Sequence, residues 1–89
     1  MITAVVLIKA EKGALPKLGE DLAAIPGVSE VYSVTGDIDF IAMVRAKEHE
    51  DLAEIVTRRI AQTTGVARTE THVAFKAFSK HDLENLFAP

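Results

Sequence analysis

A β-hairpin is predicted by the stretch Val34-Thr35-Gly36-Asp37-Ile38-Asp39-Phe40-Ile41-Ala42-Met43-Val44. It contains the end of one apolar strand, a Gly-Asp-x-Asp turn and a second apolar strand. About two to five residues are enough to connect two antiparallel strands. Two carboxylates, a glycine and exposed backbone N–H groups are more than such a connection needs. The turn is therefore the best candidate for a functional site.

The hairpin lies in the middle of a predicted β-α-β-β-α-β order. The first strand, Ile2 to Lys9, is apolar on both alternations, which is typical of a strand buried on both faces. An amphipathic helix follows and ends at Pro26-Gly27. Residues 28–35 form the second strand, and their imperfect alternation predicts a bulge or burial on both faces. The apolar positions of the helix are Leu15, Leu18, Leu22 and Ile25.

After the hairpin, a second helix is predicted up to the cap at Gly65, with apolar positions at Leu52, Ile55, Val56 and Ile60. The last strand is expected to run from Val66 to Phe78. At about 3.3 Å per residue it would span on the order of 40 Å, longer than one small sheet requires, so its end could pair outside the subunit. A short tail helix is expected over about residues 80–88, where an apolar stripe would dock on another surface.

These elements predict an α+β fold, the ferredoxin-like β-α-β-β-α-β sandwich, with a four-stranded antiparallel sheet and two helices on one face. The two helices can cover only one side of the sheet. The first and third strands nevertheless carry apolar residues on both sides. The uncovered side is therefore expected to be buried by a second subunit, sheet against sheet with two-fold symmetry, as in a dimeric α+β barrel.

Composition supports one domain over residues 1–89 that associates with itself. The chain is 48% hydrophobic and has no cysteine, so a small two-layer domain without cross-links would leave much apolar surface exposed. Its net charge of −3 and scattered Lys and Arg residues argue against binding of nucleic acid. The longest apolar run, Ala4 to Ile8, is far shorter than the roughly 20 residues that span a bilayer, and no basic segment precedes it. A cytoplasmic protein that does not bind membranes is expected.

The sequence resembles the effector-binding domain of the Lrp/AsnC regulators, also called the RAM domain. The resemblance is carried by Ile25-Pro26-Gly27-Val28, by Val34-Thr35-Gly36-Asp37-Ile38-Asp39 before an apolar strand, and by Gly65-Val66 leading into Thr69-x-Thr71-x-Val73. Members of this family normally carry an N-terminal helix-turn-helix, whereas this sequence starts at the first strand. It is therefore expected to be a stand-alone effector domain.

The resemblance implies a homodimer formed through the sheets, a ring-like assembly of dimers and a small-molecule ligand, typically an amino acid, bound where dimers meet. In the family pattern, the positions of Gly36, Asp37 and Asp39 line the ligand site. The resemblance places four residues of the last strand beside it, partly from a neighbouring chain, namely Thr69, Thr71, His72 and Ala74. Full-length Lrp/AsnC regulators are possible partners, and direct contact with nucleic acid is not expected.

The turn has the chemistry that an amino acid requires. Gly36 can adopt φ > 0 and so direct consecutive backbone N–H groups at a carboxylate, while Asp37 or Asp39 accepts a hydrogen bond from the ammonium. The alternative is that each Asp bonds N–H groups of its own turn, the commonest role of Asp in a hairpin loop. His72 could bond a ligand or be a half-exposed packing residue, and Thr69 and Thr71 fit a strand by propensity alone.

The predicted function is a non-catalytic effector-binding and oligomerisation module. Two alternatives stay open: a small cofactor-free dimeric α+β barrel enzyme of the monooxygenase or isomerase type, and a purely structural subunit that co-assembles with full-length regulators. No cofactor or metal is predicted, because the three His are dispersed and neither a Ser-His-Asp arrangement nor a Gly-rich phosphate loop is present.

Overall fold

Four strands and two helical segments follow one another in the order β-α-β-β-α-β, in a computed structural model that describes residues 1–80. This order confirms the predicted ferredoxin-like fold. Residues 81–88 of the expected tail helix lie outside the described part of the chain. The elements are β1 (Ile2–Ala10), α1 (Leu15–Ala23), β2 (Val28–Ser33), β3 (Phe40–Ala46), α2 (His49–Ala53), a π-helical segment (Glu54–Ile60) and β4 (Val66–Ala74).

The helices begin and end where local chemistry requires. Pro16 lies in the first turn of α1, where a missing N–H leaves no hydrogen bond unmade. The backbone N–H of Glu48 donates to the Asp51 carboxylate at 3.3 Å and so caps α2. Helix α2 then widens, because the N–H of Ala61 donates to the carbonyl of Val56 at 2.9 Å, five residues back. Ile60 is buried at the end of this π-helical segment.

The sheet has the strand order β2-β3-β1-β4 and every neighbouring pair is antiparallel. Of the two alternatives predicted for β2, a bulge or burial on both faces, the register shift between Val28 and Glu30 agrees with the bulge. The predicted extension of β4 to Phe78 was wrong, since the strand ends at Ala74. Ala74 lies opposite Thr3, close to the start of β1, so little of β1 remains for a longer β4 to pair with. Phe75, the next residue, is fully exposed.

Alternation along the strands gives the sheet two different faces. The helices cover one face, and Leu18 and Leu22 of α1 pack there with Leu52 and Ile60. The sheet side of this core consists of Ala4, Val6, Ile8, Phe40, Ala42, Val44 and Ala46. Among residues 1–80, no polar or charged residue is buried in this core.

The other face of the sheet, here called the open face, is not covered by a helix. Its central residues are apolar and half-buried, and they are Val5 and Leu7 of β1 with Ile41 and Met43 of β3. Polar residues flank them on the outer strands, with Glu30 and Tyr32 on β2 and Arg68, Glu70 and His72 on β4. The predicted two-sided apolar character of the first and third strands is therefore confirmed. Neither helix in the described range is long and apolar enough to cross a membrane.

Candidate functional site

Two backbone hydrogen bonds position the Gly-Asp-x-Asp turn, one within the hairpin and one to the end of β1. The N–H of Val34 donates to the carbonyl of Asp39 at 3.0 Å and closes the turn. The N–H of Asp39 donates to the carbonyl of Ile8 at 2.9 Å and holds the turn against β1. Gly36 has φ +107°, a left-handed conformation that glycine adopts without the steric penalty of a side chain. The turn is thus held in place at the edge of the open face.

The two carboxylates of the turn have different environments. The Asp39 carboxylate accepts a hydrogen bond from the backbone N–H of Ala10 at 2.7 Å, and its side chain is 24% exposed. The Asp37 side chain is 94% exposed. Lys9 joins the two residues, because its Nζ donates to the Asp37 carbonyl at 2.8 Å and lies 3.9 Å from Asp39 Oδ2. Asp39 is therefore tied to the sheet, whereas the Asp37 carboxylate reaches into solvent.

An open groove of about 480 Å³ lies between the turn and the neighbouring ends of β1 and β4, and is here called the turn groove. Its volume is within the range of about 300–1,000 Å³ that is usual for small-molecule sites. It is lined by Leu7, Lys9, Asp37, Ile38, Arg68, Thr69 and Glu70. The groove therefore offers cations, carboxylates and aliphatic side chains to one small molecule.

Charged side chains of both signs are interleaved around the groove. Arg68 Nη2 lies 3.7 Å from Asp37 Oδ2. Glu70 Oε2 lies 2.7 Å from the His72 ring nitrogen Nε2, on the same face of β4. In the part of the chain that the structure describes, no three His, Asp or Glu side chains cluster as metal ligands. The arrangement is suited to a small ligand that carries both charges.

A second polar pair lies across the open face on β2. The Tyr32 hydroxyl donates a hydrogen bond to the Glu30 carboxylate. This hydrogen bond and the negative charge of Glu30 raise the pKa of Tyr32 above its ordinary value. Glu30 and Tyr32 therefore form a coupled pair at the edge opposite β4.

The structure brings some of the predicted site residues together and separates others. Asp37 and Thr69 line the turn groove, and Gly36 and Asp39 belong to the same turn. The other three predicted residues do not line it. Thr71 lies on the helix-covered face opposite Val6, while His72 and Ala74 lie farther along the open face, opposite Val5 and Thr3.

Five groove residues were not predicted, and they are Leu7, Lys9, Ile38, Arg68 and Glu70. The register of β1 against β4 places Lys9 opposite Arg68 and Leu7 opposite Glu70. This register brings the four strand residues together, and the sequence pattern does not encode it. Ile38 lies within the predicted turn itself, between the two Asp residues.

A family model described as the Lrp/AsnC ligand binding domain matches residues 3–83. The chain belongs to the Lrp/AsnC family. An HTH-type transcriptional regulator of Pyrococcus furiosus is 40% identical over 76 residues, which cover 82% of this chain and 51% of that protein. The chain spans about half the length, or less, of the first curated relatives that it matches.

Solved structures of proteins with similar sequences share the fold. The Thermus thermophilus protein TTHA0845 is 49% identical with a TM-score of 0.84, over 90% of this chain and 100% of that chain. A feast or famine regulatory protein of Mycobacterium tuberculosis, solved in complex with L-methionine, is 26% identical with a TM-score of 0.74. That match covers 89% of this chain and 53% of the M. tuberculosis chain.

Proposed function

We propose that this Lrp/AsnC domain, over residues 1–89, is an effector-binding and oligomerisation module that binds an amino acid in the turn groove. One observation carries the proposal: the exposed Asp37 carboxylate stands at the rim of a groove that also holds cations and aliphatic side chains. The description of the family as a ligand binding domain supports it, as does the L-methionine complex of the M. tuberculosis relative.

Asp37 is the acceptor for the ammonium group of the ligand. The Asp39 carboxylate already accepts a hydrogen bond from Ala10 and faces Lys9, so it is occupied within the subunit. The Asp37 carboxylate has a single cation near it, Arg68 at 3.7 Å, and is otherwise open to solvent. A charge-assisted hydrogen bond between an ammonium and this carboxylate needs no rearrangement of the turn. Gly36 allows the turn to present Asp37 in this way.

The apolar side chains of the open face favour association of two copies of the chain. Burying Val5, Ile41 and Met43 against the same residues of a second copy removes apolar surface from water, and a two-fold axis pairs identical patches. Leu7, at the groove end of this patch, stays beside the ligand. We therefore propose a homodimer through the sheets. Dimers then join into a ring in which the turn groove of one dimer is closed by its neighbour, with no nucleic acid bound by this domain itself.

A ligand screen tests the proposal. An amino acid at a hundredfold excess over its dissociation constant should stabilise the assembly by about 2.7 kcal/mol, a shift of several degrees in melting temperature. The Asp37→Asn variant should lose this shift and keep its unliganded melting temperature. If none of the twenty amino acids shifts the wild type, amino-acid sensing is excluded.

A structural subunit is the second candidate, and the apolar open face favours it. Such a subunit would associate with full-length Lrp/AsnC regulators through the same face and respond to no ligand. Mixing the chain with a full-length relative and measuring mixed oligomers with and without amino acids separates the two functions. An enzyme of the α+β barrel type is less well supported, because the layer between sheet and helices contains no buried polar residue in the described range.

A further inference from the structure

Two cations and a carboxylate meet at the turn groove, where Arg68 Nη2 lies 3.7 Å from Asp37 Oδ2 and Lys9 Nζ lies 2.8 Å from the Asp37 carbonyl oxygen. Lys9 and Arg68 are cross-strand neighbours on the open face and form the sheet side of the groove. Asp37 forms the turn side. An amino acid has its two charges on groups attached to one carbon atom. A ligand whose ammonium meets Asp37 therefore directs its carboxylate at the sheet side.

The two cations differ in how far they are already engaged. Lys9 Nζ donates to the Asp37 carbonyl at 2.8 Å and faces the Asp39 carboxylate at 3.9 Å. Arg68 has one recorded ion pair among residues 1–80, to Asp37 at 3.7 Å, which is beyond hydrogen-bond distance. Its side chain is 67% exposed, and an ion pair between two such exposed groups contributes little. The Arg68 guanidinium therefore keeps its planar fork of donors for a carboxylate.

The remaining lining residues of the groove are two aliphatic side chains and one carboxylate. Leu7 and Ile38 are half-buried and line the groove together. Glu70 lies directly opposite Leu7 on the neighbouring strand. An apolar side chain of the ligand gains contact with Leu7 and Ile38, whereas an acidic side chain is repelled by Glu70.

We propose that Arg68 binds the carboxylate of the ligand, that Leu7 and Ile38 favour a ligand with an apolar side chain, and that Glu70 disfavours an acidic one. This inference rests on the proposed function and adds the class of ligand and the residue that recognises its carboxylate. Neither Arg68 nor the two aliphatic residues belonged to the site expected from sequence. Arg68 faces Asp37 in this structure. With a ligand bound, each of these two residues faces the opposite charge on the ligand.

Calorimetry with two ligands and two proteins tests the assignment of Arg68. L-Leucine carries the carboxylate, whereas L-leucinol has the same ammonium and side chain with a neutral hydroxymethyl group. Arg68→Ala should weaken L-leucine binding by about 10- to 100-fold, the usual effect of a lost charge-assisted hydrogen bond. The already weak binding of L-leucinol should not change. Equal losses for both ligands, or no loss for L-leucine, would overturn the assignment.

Arg45→Ala is the matched control. It removes an arginine from the same open face, opposite Thr3 and about 20 Å along β1 from Lys9. It should leave L-leucine binding unchanged.

Tighter binding of L-aspartate or L-lysine than of L-leucine and L-methionine would overturn the preference for apolar side chains. If the wild type binds no amino acid at all, the proposed function fails too; if it binds L-leucine and Arg68→Ala binds equally well, only this inference fails.

Discussion

The carboxylate of Asp39 accepts a hydrogen bond from the backbone N–H of Ala10 at 2.7 Å, across 29 residues of sequence. It joins the hairpin turn to the last residue of β1, beside the point where the β1–β4 register shifts between Lys9 and Ala10. A carboxylate in such a turn commonly bonds N–H groups of its own turn. Here it bonds the neighbouring strand and so fixes the position of the turn groove.

Asp39→Ala should therefore lower stability. The change leaves the partly buried N–H of Ala10 without its acceptor and removes the ion pair with Lys9. We expect a loss of about 1.5–3 kcal/mol in the free energy of unfolding, as for other hydrogen bonds to charged groups. At about 4–8 °C per kcal/mol for a domain of this size, thermal unfolding measures it easily. Asp37→Ala is the control, because loss of its exposed carboxylate should leave the melting temperature unchanged. Equal shifts in melting temperature for the two variants would contradict the different roles of the two carboxylates.

Most of the fold follows from local sequence patterns. The order of elements could be predicted because each of its signals lies within a few consecutive residues. These signals are the two-sided apolar run of β1, the spacing of Leu18 and Leu22, and the glycines at helix ends. The end of β4 could not, because it depends on how far β1 extends beside it. The π-helical turn was also missed, since apolar residues at Leu52, Ile55, Val56 and Ile60 suit an α-helix equally well.

From the residues alone the candidate site was predictable only where it is local in sequence, since Thr69 was placed beside it by the family resemblance. Gly36, Asp37 and Asp39 are neighbours in the chain, and their turn does border the groove. Lys9 and Arg68 are 59 residues apart and become neighbours only through the β1–β4 register. No periodicity within either strand encodes that pairing. Conversely, two side chains of one strand, such as Thr69 and Ala74, lie far apart along the sheet, so they do not line the same groove.

Gly27 and Gly36 should respond differently to substitution by alanine, although both have left-handed backbone conformations, with φ +98° and +107°. A Cβ at Gly27 would lie 2.3 Å from Ile55 Cδ1, whereas a Cβ at Gly36 meets nothing within 4 Å. Gly36→Ala should cost about 1–2 kcal/mol from backbone strain alone. Gly27→Ala should add about 1–3 kcal/mol for overpacking against Ile55.

Denaturant unfolding of the two glycine variants measures this difference. Adding Ile55→Ala to Gly27→Ala removes the clashing atom, so the double variant should be less destabilised than the sum of the two single changes. Strict additivity would show that the contact with Ile55 is not the cause.

Met43→Glu should convert the proposed homodimer into a monomer. Met43 lies at the centre of the open face, between Val5 and Glu30 of the neighbouring strands. A carboxylate there would be buried without a cation on assembly and would meet Glu30 as a like charge. We expect the dissociation constant of the dimer to rise by roughly 100-fold, which corresponds to about 2.7 kcal/mol.

Light scattering across a dilution series measures the oligomeric state of this variant. Gln62→Glu, an exposed position after the π-helical segment, adds the same charge away from the open face and should leave the dimer intact. A wild type that is monomeric at micromolar concentration would contradict assembly through the open face.

Tyr32 should ionise at a higher pH than an isolated tyrosine. The pKa of Tyr32 is raised above its ordinary value near 10, first by the hydrogen bond to the Glu30 carboxylate and then by that negative charge. Since the raised pKa belongs to the folded state, the pair stabilises the fold below pH about 10, and this contribution is lost as pH rises through the folded pKa. The sequence contains a single tyrosine, so phenolate absorbance near 295 nm follows this group alone. Glu30→Gln should lower the titration midpoint towards the ordinary value, and an unchanged midpoint would show that Glu30 does not control Tyr32.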